Sequence, residues 1–140
     1  MLSDMVEREF ECCGYQCSVR MNPRLFFRLG YVTVPKGHPA YASTFDEVPT
    51  SVHGGVTYSD ISDDGEGWTI GFDCGHAFDA PDGEVARQHL EGEDLAAFER
   101  FADMCFGSPY SIGPHVWTTE EVEQEVIGMA MQLKEMEEGK

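Results

Sequence analysis

His53 is followed by Gly54-Gly55, and Asp73, His76 and Asp79 recur at intervals of three in Gly71-Phe72-Asp73-Cys74-Gly75-His76-Ala77-Phe78-Asp79. Paired imidazole and carboxylate groups can pass protons in the hydrolysis of a phosphodiester or related bond. In that scheme His76 is the base, His53 the acid or oxyanion partner, and Asp73 or Asp79 orients an imidazole through its ring N–H. The same four side chains could instead ligate a divalent metal. They could also bind a nucleotide-type ligand without reacting. Nothing in the sequence requires a cofactor. Gly54 and Gly55 allow the backbone to approach a ligand closely. His38, in Lys36-Gly37-His38-Pro39, is a further candidate for contact with that ligand. A structural account competes with all of these: Asp73 caps a turn, and His53 and His76 satisfy buried backbone groups.

Cys74 lies between Asp73 and His76, where a thiol activated by His76 would be a nucleophile. A small buried thiol is the default for all five cysteines, Cys12, Cys13, Cys17, Cys74 and Cys105. Arg24, Arg28 and Lys36 form a basic cluster, for which Glu9 and Glu11 are the expected partners across the sheet.

These residues need a scaffold. The pattern predicts an α+β fold in a single domain over 1–140: an antiparallel sheet of about five strands packed against a C-terminal helix, with a second, shorter helix. Residues 8–13 and 16–21 read as a hairpin about Gly14-Tyr15, and 24–34 as a third strand ended by Pro35. A short helical turn falls near 43–48, and strands at 55–59 and 67–72. Residues 74–92 read as a long loop, and 93–106 as a helix. Thr118 and Glu121 form a capping box. Val122, Val126, Met129, Ala130, Leu133 and Met136 then recur at helical spacing. Glu135, Glu137 and Glu138 oppose the helix dipole, so fraying is expected past Leu133.

The chain carries 26 acidic and 9 basic residues, a net charge of −17. Such a surface repels phosphate backbones, so direct nucleic-acid binding is not expected. An acidic exterior can instead occupy a basic groove on another protein. The odd cysteine count and the polar N-terminus predict reduced thiols in a cytoplasm. No apolar run approaches a membrane span, so no membrane partner is expected. Self-association through the Met-rich helix or a sheet edge stays open.

The succession Gly-Tyr-Val-x-Val-Pro-x-Gly-His-Pro, Val-His-Gly-Gly-Val-Thr-Tyr and Gly-Phe-Asp-Cys-x-His-x-x-Asp resembles a family of small proteins encoded by bacteriophages and prophages. The matching positions are Gly37, His38, Pro39, His53, Gly54, Gly55, Asp73, Cys74, His76 and Asp79. The C-terminal helix, with its Glu-x-Glu-Val-x-x-Met-Ala-x-Gln-Leu stretch, is similar as well. The family brings no established reaction. The resemblance implies a phage accessory protein in a bacterial host cell, acting against host defence. One route is capture or cleavage of a nucleotide-type ligand in the His/Asp pocket. The other is acidic inhibition of a host defence nuclease or effector, without catalysis.

Overall fold

The computed structural model describes residues 4–48, 50–75, 79–106 and 115–139. Strands β1 (Met5–Cys12) and β2 (Tyr15–Met21) form an antiparallel hairpin, joined by Cys13-Gly14 at φ 57 and 83. The turn therefore falls one residue earlier than expected from the sequence. Strand β3 (Arg28–Pro35) pairs with β2. Its start is later than expected, because Asn22–Phe27 fold back as a turn closed by Asn22 N–H to Phe27 O at 2.9 Å. A 3-10 turn covers Phe45–Glu47, inside the predicted helical turn. Strands β4 (Tyr58–Ile61) and β5 (Gly67–Asp73) complete a five-stranded antiparallel sheet in the order β1-β2-β3-β5-β4. The α+β architecture read from the sequence is the one observed.

The expected long loop at 74–92 contains two elements. Strand β6 (Asp79–Ala80) is followed by helix α1 (Gly83–His89), capped by the Asp82 side chain on the N–H groups of Glu84 and Val85. A carboxylate that accepts from two backbone donors starts a helix inside the stretch read as loop. Helix α2 spans Gly92–Phe106. Strand β7 (His115–Val116) pairs in parallel with β6, and helix α3 runs Thr119–Glu138. Phe26, Met21, Ala86 and Phe98 form a small apolar cluster where α1 and α2 close one end of the sheet.

Alternation along the strands sends Tyr15, Cys17, Val19, Val32, Val34, Ile70 and Phe72 to one face, where they meet Val122, Val126, Met129, Ala130 and Leu133 of α3. At about 1.5–3 kcal/mol for each large apolar side chain, this burial fixes the helix on the sheet. Gly30 permits the close approach: a Cβ there would lie 2.5 Å from the Phe72 ring and 2.6 Å from Val126. The capping box forms as expected, and the helix continues past Leu133 to Glu138. Tyr15 hydroxyl donates to Glu137, and His38 Nε2–H donates to the Leu133 carbonyl at 2.8 Å. These contacts hold the last turns despite their unfavourable charges.

Candidate functional site

The site forms at the N-terminal half of α3. Two side chains of that helix tie down the loop that carries His53. Gln132 accepts from Ser51 N–H at 2.7 Å and donates to Ser51 O at 2.9 Å, and Glu125 accepts from His53 N–H at 2.8 Å. A turn closed by Gly55 N–H to Val52 O at 3.0 Å puts Gly54 at φ 69 and Gly55 at φ 81. Both glycines thus serve the backbone shape that presents His53.

The imidazole meets a buried carboxylate. His53 Nε2 lies 2.8 Å from both oxygens of Asp79. Asp79 is 2% exposed, whereas the His53 side chain is 23% exposed. An ionised carboxylate only accepts, so the ring presents Nε2–H to Asp79. Trp117 stacks on His53 with ring centroids 4.1 Å apart. His115 meets the same indole edge-on at 5.5 Å, and its Nε2–H donates to Glu121 at 2.8 Å. The pairing of β6 with β7 places Asp79 opposite His115. Two histidine–carboxylate pairs therefore flank one indole. The Thr118 backbone N–H first, and His115 second, hold Glu121 below the usual carboxylate range.

Arg28 supports this arrangement from the core. It is 6% exposed, and its guanidinium donates to Glu7 and Asp82 at 2.7 Å and to the Trp117 carbonyl at 2.9 Å. Burial opposes its charge, and Glu7 and Asp82 outweigh that opposition to keep it protonated. Glu9 and Glu11 were the expected partners of the basic cluster. Arg28 takes Glu7 instead, and Glu9 lies 3.9 Å from Arg20. The cause is a register shift between Val6 and Arg8, which turns Glu7 toward α3.

The other predicted residues are elsewhere. Asp73 accepts from Thr57 Oγ1 at 3.1 Å and from Gly75 N–H at 2.9 Å, the geometry of a turn cap. His38 is 5% exposed, accepts from Ala40 N–H through Nδ1 at 2.9 Å, and donates from Nε2 to Leu133 O. It lies near Leu133, about 12 Å along α3 from Glu125, which holds the His53 backbone N–H. His76 lies outside the described residues. Cys74 is 1% exposed, and burial first, then Asp79 and Asp73, push its thiol far above the ordinary range. A thiol held so firmly protonated is a packing group. Among the described residues no group of three or more His, Cys, Asp or Glu side chains is placed to hold a metal ion. Nor is any helix among them long and apolar enough to cross a membrane.

No known relative supplies a function. The chain matches no protein-family model, no curated protein and no solved structure. Sequence reasoning missed Trp117, His115 and Glu125, and it gave Arg28 and Glu121 only other roles. One signal was present for two of them: Trp117 directly precedes the capping-box residue Thr118 and His115 lies three residues before it, and a helix start is a rigid place to present a side chain.

Proposed function

We propose that His53, Asp79 and Trp117 form a binding site for a nucleotide-type ligand, with His53 as the proton acceptor if the ligand is hydrolysed. One observation carries this reading: a partly open imidazole, fixed by a buried carboxylate, lies flat against an aromatic ring. The orienting carboxylate sets tautomer and direction, which a general base requires. The indole and the two imidazoles offer flat surfaces to a nucleobase.

The charges narrow the ligand class. Asp79, Glu121 and Glu125 surround the site, and the nearby guanidinium of Arg28 is occupied by Glu7 and Asp82. Such a site disfavours phosphate oxygens and favours the hydroxyl and amino donors of a ribose or base. The ligand would enter base or ribose first, with its phosphates toward solvent. Capture of a nucleotide second messenger in this way is the counter-defence role that the resemblance to phage-encoded proteins supports.

Calorimetric titration with adenosine, ADP-ribose and a cyclic dinucleotide, followed by chromatography of the mixtures, tests the reading. Saturable binding is expected, and Asp79→Asn should weaken it about tenfold by removing a charged acceptor. Absence of binding across the panel, or equal affinity in the variant, would overturn it.

A second reading has its own support. Asp60, Asp63, Asp64 and Glu66 are all exposed around the β4–β5 turn, and Glu91, Glu93 and Asp94 are exposed at the start of α2. An inhibitor of a basic host protein would act through these clusters. Its activity would fall with rising salt and survive Asp79→Asn.

A further inference from the structure

The β1–β2 turn, at the opposite end of α3 from His53, carries a second group of reactive side chains. Consecutive residues in a strand point to opposite faces. Cys12 and Cys13 do not: Cys13 has φ 57, and its Sγ lies 3.8 Å from that of Cys12. Glycine and asparagine occupy this left-handed position at little cost, whereas cysteine is strained there. Both thiols are half-buried, so a small solute can reach them. A strained residue that brings two nucleophilic sulfurs into contact marks a chemical role more readily than a packing one.

We propose that Cys12 and Cys13 form a vicinal dithiol that closes to a disulfide by exchange with a low-molecular-weight disulfide such as oxidised glutathione. One protein thiolate attacks a glutathione sulfur, forming a mixed disulfide and releasing one glutathione thiolate. The neighbouring thiolate then attacks the protein sulfur of that mixed disulfide, forms the Cys12–Cys13 bond and expels the second glutathione. Two electrons pass to glutathione disulfide, and the two thiol protons end on two glutathione molecules.

The bond formed is an easily reduced one. Adjacent Cα atoms stand about 3.8 Å apart, below the usual 4.4–6.8 Å span of a disulfide, so the ring is strained. Strained disulfides have high reduction potentials and reopen readily. Cys17 is the nearby alternative partner. It is 3% exposed, whereas Cys12 and Cys13 are half-buried, and that burial keeps it out of the exchange.

The full chain incubated with oxidised glutathione, then analysed by intact mass and peptide mapping, tests the proposal. The expected product lacks two hydrogens, links Cys12 to Cys13, forms equally in Cys17→Ser, and returns to dithiol with excess glutathione. Cys13→Asn, whose side chain suits the left-handed turn, should fold normally and retain one glutathione on Cys12. A stable mixed disulfide on the unaltered chain, a link to Cys17, or no reaction would each overturn the proposal.

Discussion

The two ends of α3 each hold a histidine against the sheet, and they hold it for different ends. Near Leu133, His38 accepts from one backbone group and donates to another, and it is 5% exposed. Neutral partners on both ring nitrogens make it a strut between the 36–41 loop and the helix. Near Glu125, His53 donates to a carboxylate that is 2% exposed, and its own side chain is 23% exposed. A buried carboxylate partner fixes the direction of the ring and the nitrogen that it presents. The contrast shows that burial of a histidine says little about its role until the chemistry of its partners is known.

The largest test removes the support shared by the site and the core. Arg28→Met leaves the Glu7 and Asp82 carboxylates without their cation and frees the Trp117 carbonyl. A loss of about 3 kcal/mol is expected in urea denaturation, at the low end for a broken buried pair because both carboxylates keep some solvent. A loss under about 1 kcal/mol would mean that Arg28 does not organise the open end.

The next test separates the two histidines. His38→Ala strands the Ala40 N–H and a Leu133 carbonyl lone pair, at an expected cost of about 2 kcal/mol in stability. His53→Gln should cost less than about 1 kcal/mol, because the amide can still donate to Asp79. It should nonetheless abolish any turnover, since an amide takes up no proton. Thermal melting and ligand assays on both variants read the difference directly. Equal stability losses would erase the distinction between strut and site.

The smallest effect is acid sensitivity of the open end. The folded state holds Glu120 and Glu121 below the ordinary carboxylate range, Glu120 mainly through its own backbone N–H and Glu121 mainly through that of Thr118. Their contribution is therefore present above the unfolded-state value and is lost as pH falls through the lowered folded-state values. Protection of the amides at the first turn of α3, measured against their intrinsic exchange, should fall over that acid window before the Leu133 end responds. Simultaneous opening of both ends would contradict the assignment.

Much of this arrangement was legible in the sequence. The apolar stripe and the capping box of α3 gave the helix, and the alternating strands gave the sheet that it covers. His53 stood out because two glycines follow it, and Asp79 because it ends a run of spaced polar residues. The partnership of Glu7 with Arg28 was hidden, since a one-residue register shift moves a side chain to the other face and leaves no compositional trace. Helix α1 was hidden by its brevity and by a glycine at its first position. Trp117 and His115 were hidden because their role depends on β6 and β7 meeting, a contact between segments 36 positions apart at Asp79 and His115. His38 was over-read for the opposite reason: a histidine beside glycine and proline resembles a ligand-facing loop whether its ring turns outward or inward.

The fluorescence of Trp117 during titration with ADP-ribose, recorded in a Trp68→Phe background, tests the ligand site most directly. Trp68 packs on Tyr41 and donates to the Ser43 carbonyl at 3.0 Å, so its replacement leaves the His53 stack untouched. The account predicts a saturable change in emission whose midpoint moves to higher concentration in Asp79→Asn. Constant emission while calorimetry registers binding, or a midpoint indifferent to Asp79, would contradict it.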